Sequence, residues 1–277
     1  MCASSRDAVN PSERRAGVRL ILAVAKAPTD PQALATAAAA TGLALADVRR
    51  RLAGTLPRIL LADTDDDRIA TVAAVLEAAG FGVLTCDPTQ VPRDDDRVVA
   101  RTLEFRPGAL VATDGAGRAH ECPAAAIDLL QRGVRIETTS ETTKTSERKL
   151  ALGRAVLSGG LVLTKKVEKT QTRVHESRES FVLVQRGDGE PDVILYERRL
   201  DYRFLGAEMQ PASFGNLERV VARLRALAPA AQLDDRVARP GFVSGLLATS
   251  ADPVDLALFL VTLAHLRGWS PRRSHAG

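Results

Sequence analysis

The segment ETTSETTKTSERK, residues 137–149, contains no aliphatic side chain, and TKKVEKTQTRVHESRES, residues 164–180, contains only Val167 and Val174. Between them lies an apolar stretch, Leu150 to Leu163. Threonine favours extended backbone where cross-strand contacts form, and opposite charges pair across a ladder. Strands polar on both faces cannot line a core, so water must reach both sides. One arrangement that meets these demands is a projecting polar β-arm; the alternative is a pair of disordered polar linkers around an apolar helix that docks on the body. The arm's outgoing limb is Ile136 to Lys149 and its return limb Thr164 to Ser180, with Gly153, Gly159 and Gly160 permitting a reversal at the end.

The end of such an arm carries Leu150, Leu152, Val156, Leu157, Leu161, Val162 and Leu163. A two-stranded ribbon is marginal in water, and burying each large apolar side chain is worth about 1.5–3 kcal/mol. These residues therefore call for a cover: a protein partner, a second copy of the chain, a lipid surface or the chain's own body. Residues 137–180 hold nine basic and six acidic side chains, most of the net charge of +4. The alternative reading is a peripheral membrane contact in which Arg154, Lys165 and Lys166 meet anionic headgroups.

Before the arm, VRLILAVA reads as a buried strand, DPQALATAAAATG as a helix capped by Asp30, and LALADVRRRLAG as a second helix. PRILLAD, DDDRIATVAAVLEAAG and FGVLTCD follow as strand, helix and strand. The Thr41-Gly42-Leu43 turn, Leu45, Leu52, Pro57 and the Leu76-Glu77-x-x-Gly80 helix end fall at matching spacings, so residues 17–87 resemble the C-terminal domain of the bacterial ribosomal stalk protein. That domain shares its fold with the adaptor of the Clp protease. The resemblance implies a small α+β domain that meets protein partners. Ala35 and Ala38 stand where that family docks translation factors through basic residues, and Arg49 alone keeps a basic position.

The expected organisation is α+β. A leader (1–16) precedes the strand-helix-helix-strand-helix-strand domain (17–88). A β-rich domain (95–235), with the arm inserted at 136–180, is capped by the helix in SFGNLERVVARLRALAP. A C-terminal helical segment (240–269) and a tail (270–277) follow, the leader and tail being expected as disordered. PTQVPRDDD reads as a polar linker and HECPAAAIDLLQRG as a short helical turn or strand. ESFVLVQR and DVILYERR flank the hairpin turn GDGEP. Strands followed by one amphipathic helix resemble the pleckstrin-homology-like architecture. VDLALFLVTLAHLRG is apolar around most of its circumference, which requires burial on more than one side.

Catalytic patterns fail. Asp63, Asp65 and Asp67 open like a calcium loop, but Arg68 and Ala74 stand where that loop needs Gly and Glu; they read instead as a helix N-terminus. No Gly-Lys-Ser/Thr follows Gly153, no G-x-S-x-G occurs, and His120 beside Cys122 lacks a second ligand pair. Cys2, Cys86 and Cys122 read as reduced thiols. With aromatic residues at 4% and basic residues interleaved with acidic ones, nucleic acid is a poor fit. YERRLDYRFLG reads as a strand edge with snorkelling arginines. The sequence thus describes a cytoplasmic, non-enzymatic interaction protein with no cofactor and no metal.

Overall fold

The first strand, β1 (Leu20–Lys26), is buried at five consecutive positions, as a strand covered on both faces must be. Its alternating side chains serve two cores. Leu22 and Val24 enter one cluster, and Ile21, Ala23 and Ala25 enter another. The computed structural model describes residues 20–150, 164–239, 241–246, 249 and 251–269. Antiparallel to β1 on its two sides lie β2 (Arg58–Asp63) and β3 (Gly82–Cys86), giving the order β2-β1-β3.

Three helices, α1 (Pro31–Thr41), α2 (Leu45–Leu52) and α3 (Asp66–Ala78), cover one face of this sheet through Ala33, Ala37, Val48, Ile69, Val72 and Leu76. The Asp30 carboxylate accepts from the Gln32 and Ala33 amides at 3.2 Å, and α1 stops at Gly42, whose φ of 70° suits glycine. Asp65 caps α3, and Asp63 accepts from the Thr64 and Asp65 amides. The acidic run therefore ends in helix capping, as its spacing suggested.

A seven-stranded sheet follows, ordered β10-β7-β8-β9-β4-β5-β6. Its strands are β4 (Val98–Arg106), β5 (Ala109–Asp114), β6 (Ala119–Pro123), β7 (Ile127–Leu150), β8 (Thr164–Arg186), β9 (Val193–Tyr196) and β10 (Gln232–Asp234). β8 and β9 form the expected hairpin, with Phe181 opposite Tyr196 and Val184 opposite Val193. The stretch 120–133 holds the end of β6, a short turn at Ala124–Ala126 and the start of β7. PTQVPRDDD, expected as a linker, instead makes two short turns around Val91, which is buried.

Helix α4 (Ser213–Leu227) lays Leu217, Val220, Val221 and Leu224 on one face of the large sheet, against Leu103, Leu110, Leu130 and Val182. The other face is covered by α5 (Pro253–Leu266). Leu256, Leu260 and Ala264 of α5 pack with Ile21, Ala23 and Leu84 of the small sheet. Val254, Ala257, Leu258 and Val261 pack with Leu129, Phe181, Leu183 and Ile194 of the large one. The helix lies between two sheets, which explains its apolar circumference. The sheet expected to carry one covering helix therefore has two.

Buried arginines join these layers. Arg97 donates to Asp255 at the start of α5 at 2.7 Å and to the Pro92 carbonyl at 2.8 Å. Arg236 grips Asp234 through Nε and a terminal nitrogen, and donates to the Leu56 carbonyl at 2.9 Å. Arg58 donates to the carbonyls of Phe242 and Gly241, and its guanidinium lies 5.6 Å from the Phe242 ring centre. The chain divides into two compact units: residues up to Val134 together with those from Ser180 onward, and Arg135–Glu179.

Candidate functional site

The second unit is built from β7 and β8, strands of 24 and 23 residues. Both expected limbs are present as strand. β7 starts earlier and β8 ends later than the polar composition marked, because their inner ends carry Leu129, Leu130, Phe181 and Leu183, which belong to the core. At about 3.3 Å per residue, residues 135–150 and 164–179 each span about 50 Å. Ile136 is exposed.

Of the residues expected at the end of the arm, Leu150 is the last residue of β7, and Lys165 and Lys166 belong to the beginning of β8. Leu152, Arg154, Val156, Leu157, Leu161, Val162 and Leu163 lie outside the described residues.

Backbone pairing along this unit is one-sided. Among the described residues β10 pairs with β7 at Leu129–Gln131 alone, and β9 pairs with β8 at Phe181–Val184 alone, extended by the Glu197 amide donating to the Ser180 carbonyl. Among the described residues no further strand flanks either limb.

A second feature, in the first unit, escaped the sequence reading. Two adjoining grooves, of about 290 and 320 Å³, share Val98 and His120. The turn TDGAGRAH between β5 and β6 positions the charged groups. Asp114 Oδ1 accepts from the Ala116 and Arg118 amides, and its Oδ2 meets Arg118 Nε at 2.9 Å and His120 Nε2 at 3.1 Å. These bonds, the one to His120 foremost, hold the Asp114 carboxyl well below the usual carboxylate range. On the other side Arg186 pairs with Asp188 and donates to the Glu121 carbonyl at 3.0 Å. An Asp–His pair can relay a proton, but the groove lining offers no Ser, Thr or Cys as nucleophile. The only signal in the sequence was Asp114 six positions before His120, across a glycine turn.

Cys86 and Cys122 are free thiols inside the protein. Burial, then the Asp87 charge, pushes the Cys86 thiol up to about 12, and burial raises Cys122 as well. Neither is a poised nucleophile. Arg199 stacks 4.2 Å from the Tyr196 ring centre and Arg203 pairs with Asp201, so YERRLDYRFLG is occupied within the chain. Among the described residues no three His, Cys, Asp or Glu side chains are grouped to hold a metal, and no helix is long and apolar enough to cross a membrane.

Comparison with protein-family models finds no match, and comparisons with curated proteins and with solved structures find none either.

Proposed function

We propose that this chain is a non-enzymatic interaction protein that uses the end of its β-arm to self-associate or to bind another protein. One observation carries the reading. Two long paired strands, with almost no apolar residue between Glu137 and Lys149 or between Thr164 and Ser180, lead to the apolar stretch Leu150–Leu163. A ribbon of this composition has no core of its own and gains stability only from company. The resemblance of residues 17–87 to the stalk-protein domain, a family that meets protein partners, points to the same role.

Sedimentation of the wild type beside a Val156→Asp/Leu157→Asp double variant tests it. The variant is expected to lose the wild type's association or its partner; equal sizes and equal partner profiles overturn the reading. The second reading is shallow insertion into an anionic lipid surface, favoured by the excess of basic residues in 137–180. Flotation with anionic vesicles separates the two: salt-sensitive binding supports lipid, and no binding at low salt ends it.

A further inference from the structure

The edges of the large sheet are treated unequally. Its outermost strands are short: β10 has three residues, and β6 has five and ends at Pro123. The Glu121 carbonyl of β6 is already taken by Arg186. Short strands, proline and covered carbonyls are how proteins keep sheet edges from pairing with other chains. The two limbs are long strands and lack the proline that ends β6. From Val134 to Leu150 and from Thr164 to Arg186 there is neither proline nor glycine. Along 135–150 and 164–179 no strand flanks the ribbon on its outer sides, among the described residues.

We propose that copies of this chain pair ribbon to ribbon, the outer edge of β7 in one copy against the outer edge of β8 in the next. This rests on the self-assembly reading above and names its partner as a second copy. Three observations favour that occupant. Among the described residues the ribbon has two outer edges of equal length that no strand flanks, and a repeating array of one sequence fills both, whereas a foreign strand fills one. The outgoing limb carries three acidic and three basic residues and the return limb three acidic and five basic, so each edge brings charges the other can pair. Finally, β7 running against β8 keeps every ladder antiparallel with all ribbons pointing the same way. The sequence stretches 150–163, which join the limbs, then all fall at the same end of the array. Pairing β7 with a second β7 would place them at opposite ends. Such a head-to-tail contact closes into a ring if its rotation permits and otherwise grows.

In an antiparallel ribbon alternate amides point outward. Hydrogen exchange of the full-length protein should therefore show roughly twice as many protected amides in the limbs at high protein concentration as at low, in step with a rise in sedimentation coefficient. Thr142→Pro and Thr143→Pro remove neighbouring donors, one facing out and one facing the other limb. One of the two is expected to dissociate the assembly while the inward-facing amides stay protected. If the wild type associates with only half its limb amides protected and Val156→Asp/Leu157→Asp dissociates it, the apolar end acts alone and edge pairing is wrong. If the wild type stays monomeric at every concentration with half protection, edge pairing is wrong as well. The apolar end is then judged by its partner and vesicle tests.

Discussion

At the residue scale, the three buried arginines set the terms on which the layers meet. Arg97 and Asp255 are 3% and 5% exposed and lie 2.7 Å apart, and Asp94 stands 3.4 Å from the same guanidinium. Arg97→Met removes the cation facing a buried carboxylate and is expected to cost about 3–5 kcal/mol, whereas Arg97→Met/Asp255→Leu should recover most of it. Urea denaturation of both variants checks this. Asp114 offers a pH test. Its carboxyl titrates lower folded than unfolded, so its contribution is fully present above the unfolded value of about 3.9 and is lost as pH falls through the folded value. Asp114→Asn should lower the melting temperature at pH 7, and the gap from wild type should narrow below about pH 4. A gap that persists unchanged at pH 2 would show that the carboxylate's charge is irrelevant. None of the arginine contacts was legible in the sequence. Arg97 and Asp255 stand 158 positions apart, and local pattern carries no trace of such a pairing. The Asp30 and Asp252 caps were legible because a cap acts within its own helix turn.

At the element scale, α5 is the piece on which both cores depend. Leu260 faces the small sheet's cluster and Leu258 the large sheet's, and both are essentially inaccessible to water. Leu258→Ala and Leu260→Ala should each destabilise by about 2–5 kcal/mol. Trp269, the single tryptophan, packs in the cluster at the small sheet, while far-UV circular dichroism reports all elements. In both variants the two signals should shift together; separate transitions would mean the sheets unfold independently. The apolar circumference of α5 was plain in the sequence, and with it the need for burial on several sides. Which surfaces supply that burial was not, because β1, β3, β7, β8 and β9 come from distant parts of the chain. The same holds for the parallel contact between β4 and β9, which joins Val98 to Val193 and Val99 to Ile194.

At the scale of the whole molecule, the α+β class and the strand and helix order were readable from periodicity and caps, and the arm was readable from what its limbs lack. Hydrophobic patterning reports which residues leave water but not whom they meet. The stretches read as an N-terminal domain, a β-rich domain and a C-terminal helix proved to share cores through α5. The position of that helix has an outcome for biosynthesis. While the polypeptide is being made, Ile21, Ala23 and Leu84 emerge early, yet the residues that shield them, Leu256 and Leu260, are translated far later. A nascent chain must carry that sticky surface through most of its synthesis, so premature termination anywhere before Pro253 leaves a product fit for chaperones or proteases rather than for work.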